Sequence, residues 1–122
     1  MNAPSTVHSH IDITDGLVRL YLFLAQSLDR CVSEAARISY PESQFQARLA
    51  STRGTVLDML SVNQVVKGKV EQECERVGSL VTACLTDGAA KAGPLDELKA
   101  ERAVLKHKIV ALSDLLAVFR AA

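Results

Sequence analysis

The chain has 122 residues, with 14 basic and 14 acidic side chains, 48% hydrophobic residues and only 4% aromatic ones. That length is one domain's worth and suffices for a core without disulfides or a metal, while an apolar mass of Leu, Ala and Val with few rings disfavours a β sandwich. Zero net charge counts against affinity built on phosphate neutralisation, and three cysteines without a CxxC pair suggest reduced, buried thiols rather than a secreted disulfide framework.

The first stretch, MNAPSTVHSHI, has no helical period and carries Pro4 among small polar residues. It reads as a flexible arm over residues 1–11, ahead of a single helical-bundle domain over residues 12–122. It lacks the basic and apolar regions of a signal peptide, which with the reduced cysteines suggests a cytoplasmic setting. His8, His10 and Asp12 alternate and could clasp a transition metal if the arm were extended. No second ligand cluster completes such a site, so the favoured reading is a solvated arm, with no metal and no cofactor implied.

The first helix is expected to start near Asp12 or Thr14, either of which can accept from a free backbone N–H. Its seam is Leu17, Tyr21, Leu24, Leu28, Cys31, Ala35 and Ile38, alternating four and three residues in the manner of a heptad. The run LVRLYLFLAQSL, from Leu17 to Leu28, is the most apolar in the chain. It is too short to span a membrane and contains Arg19. Leu20, Leu22 and Phe23 fall off the seam. They suggest a double use, in which the seam holds the fold and the surplus side meets another chain. On that reading, Leu20→Glu or Phe23→Glu breaks association and leaves helicity intact.

Pro41 should end this helix and open the next, whose stripe is Phe45, Leu49, Thr52, Val56, Met59 and Asn63. The apolar period can be carried on through Val66, Val70, Val77, Leu80 and Cys84. That gives either one rod over residues 42–86, about 65 Å long, or two helices broken between residues 61 and 69. Asn63, Gly68 and clustered Val favour the break. A separate third helix would carry Val66, Val70, Cys74, Val77, Val81 and Cys84. Gly88 would stand just past its end, and Pro94 would open the last helix. Glu71, Glu73 and Glu75 read as a solvated face.

The last helix has the strictest period, through Leu95, Leu98, Arg102, Leu105, Ile109, Leu112, Leu116 and Phe119. Arg102 is the one charge on that seam. It either snorkels at the bundle edge or pairs with a carboxylate across an interface and fixes register. Lys91, Lys99, Arg102, Lys106 and Lys108 make this the most basic region. Asp96, Glu97 and Glu101 offset them, and no aromatic residues interleave for base stacking.

No catalytic constellation emerges. Gly68-Lys69 fails as a phosphate loop because Val70 follows and Asn63 stands where a glycine is needed. His107 lies among Ala103, Val104, Val110 and Ala111, a poor setting for a base. The fold expected is all-α, an antiparallel bundle of three long or four shorter helices with heptad-like packing. The function expected is non-enzymatic: an interaction module that binds or sequesters another protein, as an antiactivator, adaptor or chaperone would, and that forms a homodimer. Interface residues on this reading are Leu17, Leu20, Tyr21, Phe23, Leu24, Arg102, Leu105, Ile109, Leu112, Leu116 and Phe119. The alternatives are a small apolar ligand held near Tyr21, Phe23 and Met59, and a helical DNA-binding dimer. Nucleic acid and membrane are both disfavoured as partners.

Overall fold

The computed structural model describes residues 2–61, 63–87 and 95–121, with side chains from His10 onward apart from a few positions. Among the described residues the chain is all-α. It comprises α1 (Asn2–Val32), α2 (Glu34–Ile38), α3 (Glu42–Met59), α4 (Gln64–Asp87) and α5 (Leu95–Ala121). Four of these are long, and α2 is a five-residue turn of helix. None of them is long and apolar enough to cross a membrane.

The first helix starts at Asn2, not at Asp12 or Thr14, so helical backbone replaces the arm expected over residues 1–11. Pro4 does not oppose this. It stands in the first turn, where no backbone N–H has an intrahelical acceptor to lose. Thr14 is accordingly buried mid-helix rather than capping an end. The added turns bring His10 edge-on to Phe119 near the end of α5, with ring centroids 5.3 Å apart. The possible metal cluster rested in part on His8, whose side chain lies outside the described residues.

At its other end α1 stops at Val32, well short of Pro41, where the helix was expected to end. Ser33 leaves the helical region at φ −103° and ψ 113°, and its hydroxyl accepts from the Ala36 N–H at 3.4 Å, capping α2. The break strands the Cys31 carbonyl, which the Arg37 guanidinium reaches at 3.0 Å. Ile38, expected on the seam, is 77% exposed as a result. Tyr40 takes the inward position instead. Its ring meets Phe45 edge-on at 6.0 Å, its hydroxyl lies 3.3 Å from Ser27 Oγ, and Arg30 covers its face at 4.3 Å.

The ambiguity over residues 42–86 resolves as a break. Leu60 closes α3, donating back to the Val56 and Leu57 carbonyls, and the Asn63 side chain accepts from the Val66 N–H at 3.2 Å. An Asn at this point competes with the helix for backbone hydrogen bonds and then caps the next one. The turn lets α3 and α4 pack on each other and on α1. The glycine and proline signals at Gly88 and Pro94 lie outside the described residues.

Helix α1 touches each of the other four. Leu20, Leu24, Leu28 and Cys31 have essentially no exposed surface, and each leucine contributes roughly 2 kcal/mol by burial. Phe23 stacks on Phe45 at 5.6 Å. Gly16 marks the close approach of α1 to α3, because a Cβ there would stand 2.7 Å from Met59 Cε. The stripe Val70, Cys74, Val77, Val81 and Cys84 faces inward along α4 as expected. Gly54 and Gly68, by contrast, have open space where a side chain would go. Gly54→Ala and Gly68→Ala should each raise the unfolding free energy by about 1 kcal/mol, read as a higher urea midpoint at unchanged slope.

Candidate interaction surface

The residues expected to face another chain lie mostly within this one. Leu20, Tyr21, Phe23, Leu24, Leu105 and Leu116 are buried, and Leu17, Ile109, Leu112 and Phe119 are half-buried. The pattern on α1 is therefore corrected. Leu20 and Phe23 are not surplus, because α3 and α4 cover the side that a two-helix seam would leave bare. Of the three off-seam residues only Leu22 is exposed, at 40%.

Arg102 forms an ion pair with Asp29 of α1, both side chains nearly half exposed. Its carboxylate thus comes from the same chain, at the bundle edge. Asp15 serves Arg19 at 2.9 Å within α1 and Arg120 of α5 at 3.9 Å, near the far end of the same α1–α5 contact. Exposed pairs of this sort contribute little stability.

Between these two pairs α1 and α5 leave a groove of about 290 Å³, lined by Leu22, Ala25, Gln26, Asp29, Arg102, Lys106, Ile109 and Val110. A second hollow of about 360 Å³ continues past the Asp29–Arg102 pair to Leu28, Val32, Leu98 and Lys99. The floor is apolar and open, with Val110 at 54% exposure. Lys99 and Lys106 are exposed on its rim, and neither has a carboxylate within ion-pair distance among the described residues. The surface therefore combines apolar area with uncompensated positive charge. A larger groove of about 520 Å³ runs between α3 and α4, but polar side chains line much of it, and Gln46 Nε2 donates to Thr82 Oγ1 across it at 2.6 Å.

An ionic cluster built around one buried carboxylate was not legible in the sequence. Glu73, expected on a solvated face, is buried and lies 2.8 Å from Arg76 and 3.0 Å from Lys108 of α5. Arg76 also pairs with Glu101 of α5. The Glu73–Arg76 spacing was visible in the sequence, but Lys108 lies 35 positions on and could not be assigned to it. Two cations against two carboxylates leave the cluster neutral, so it ties α4 to α5 and leaves no free charge for chemistry. Burial first, then the Glu73 charge, pushes the neighbouring Tyr21 hydroxyl up to about 12. Burial also raises the Cys74 thiol to about 11. Neither group is poised to ionise near neutrality. Among the described residues no His, Cys, Asp and Glu side chains gather as a metal site would require.

No protein-family model matches this chain, and no curated protein or solved structure matches it.

Proposed function

We propose that this chain is a cytoplasmic, non-enzymatic interaction module that binds another protein through the groove between α1 and α5. The packing is read as an antiparallel bundle with heptad-like seams. The observation that carries the proposal is the exposed apolar floor of Leu22 and Val110 beside Lys99 and Lys106, which make no ion pair among the described residues. Charge complementarity selects the occupant: an amphipathic helix with apolar anchors and flanking Asp or Glu. An antiactivator, an adaptor or a chaperone would each use such a surface.

Two designed peptides test this, sharing one apolar face and flanked by Glu in one and Lys in the other. The acidic peptide should bind at least tenfold more tightly, with Lys106→Glu narrowing the difference and Leu22→Glu weakening both. Equal binding of the two peptides, or none, would sink the proposal.

Self-association is the companion proposal, with exposed apolar residues near the end of α5 as the meeting surface. Leu115 and Val118 are exposed there, at 43% and 64%. The solution mass should be twice 13.2 kDa, and Leu115→Glu should halve it without loss of helicity. The ligand reading gains nothing at its expected residues, since Phe45 stacks on Phe23 and Met59 fills the space over Gly16. The DNA reading loses two of its cations to Asp29 and Glu73.

A further inference from the structure

Cys31 and Cys84 are 53 positions apart in sequence, yet they meet in the core. Cys84 Sγ donates to the Cys31 carbonyl oxygen at 3.4 Å, which places its thiol directly against the residue that carries the other. Cys74 stands ten positions earlier on α4, about 15 Å along its axis, and is out of reach of Cys84. The pair therefore differs in kind from the third cysteine. Its placement is also distinctive. Cys31 is the penultimate residue of α1, and Cys84 lies three residues before the end of α4.

We propose that Cys31 and Cys84 form a disulfide-competent pair that a peroxide-class oxidant closes, stapling α1 to α4. In the first step one thiol is oxidised by hydrogen peroxide to the sulfenic acid, and the peroxide leaves as water. In the second the other thiol attacks that sulfur, the S–S bond forms, and a second water departs. The two thiols together lose two electrons and two protons, and the peroxide takes up both. Neither sulfur has exposed surface, so oxidant enters through local opening. Helix ends open at lower free energy than helix centres, and both sulfurs sit near such ends. Burial raises the Cys31 thiol well above its ordinary range, and the Cys84 thiol reinforces this against the opposing charge of Arg37. The reaction is therefore slow from the closed state. The bond encloses α2, α3 and most of α4 in one covalent loop, which restrains the unfolded chain.

The experiment treats the full-length reduced protein with hydrogen peroxide, blocks remaining thiols by alkylation and maps the disulfides after proteolysis without reductant. The expected product is one linked peptide pair, Cys31 with Cys84, lighter by two hydrogens, with Cys74 alkylated. Its melting temperature should rise by roughly 10 °C and return on reduction with dithiothreitol. Linkage of Cys74 at comparable yield, bonds only between molecules, or no bond at all would overturn the proposal. So would a specific bond that lowered the melting temperature, because the folded geometry would then not accept it.

Discussion

Leu20→Ala should lower the unfolding free energy by about 3 kcal/mol, while Leu22→Ala, two residues along the same helix, should change it by less than about 1 kcal/mol. The two leucines are chemically identical and lie in one uninterrupted apolar run. Their surroundings differ: Leu20 has no exposed surface, and Leu22 keeps 40% of its own. Truncating Leu20 removes buried methyl groups and leaves a void among side chains of α1 and its neighbours, so both the transfer energy and the lost packing count. Truncating Leu22 removes area that water already reaches. A domain of this size has about 5–15 kcal/mol in total, so the first change removes a large share of the stability. Urea midpoints at equal slope read the difference. Equal effects at the two positions would mean that Leu20 is not enclosed by this chain alone, and would restore the view that it faces a partner.

The contrast also shows where the sequence was informative. The inward stripe of α4 was legible because its other faces carry charge, so Val70, Cys74, Val77, Val81 and Cys84 stand out against Glu71, Glu75 and Arg76. The seam of α5 was legible for the same reason. Between Leu20 and Ala25, α1 has no polar side, so periodicity could not distinguish Leu20 and Phe23, which are buried, from Leu22, which stays 40% exposed on the edge of the α1–α5 groove.

The break at Ser33 was hidden because the Ser-Glu-Ala-Ala sequence serves equally well inside a helix or as the start of one. What favours the break is tertiary. Tyr40 reaches Ser27 and Phe45, and Arg37 reaches the Cys31 carbonyl. Asn63 and its neighbours did show the other break, since Asn both weakens a helix interior and caps a new one. The surface proposed for interaction lies on the two helices, α1 and α5, that the sequence singled out, together with Arg102. On α1 the sequence marked Leu20, Leu22 and Phe23 as surplus, and of these only Leu22 is exposed. Glu73 was misread because its burial depends on Lys108, a residue from another helix.

Raising the pH above about 9 should destabilise the protein progressively, by several kcal/mol before pH 12 is reached. Three buried acids act in the same direction. The Cys74 thiol, ordinarily at 9.0, is raised to about 11, chiefly by burial; Arg53 opposes this, while Glu73, Glu71 and Glu75 add to it. The Tyr21 hydroxyl, ordinarily at 10.0, is raised to about 12 by burial, by Glu73 and by Cys74. The Cys31 thiol is raised further still by burial and by Cys84. Each group keeps its proton longer in the folded chain than in the unfolded one. Below its unfolded value both states are protonated, and stability is at its full level. Above that value the unfolded chain ionises first, and the folded state loses about 1.4 kcal/mol per pH unit for each group until the folded value is passed. Cys74 thus accounts for ~3 kcal/mol lost between pH 9 and 11, and Tyr21 for a similar amount between pH 10 and 12. Urea titrations at intervals from pH 7 to 11 measure the fall. Cys74→Ala should flatten the part that begins at pH 9, and Tyr21→Phe the part that begins at pH 10. A midpoint that stays level up to pH 11 would show that water reaches these groups in the folded protein, and would contradict the closed packing of α1 on α4.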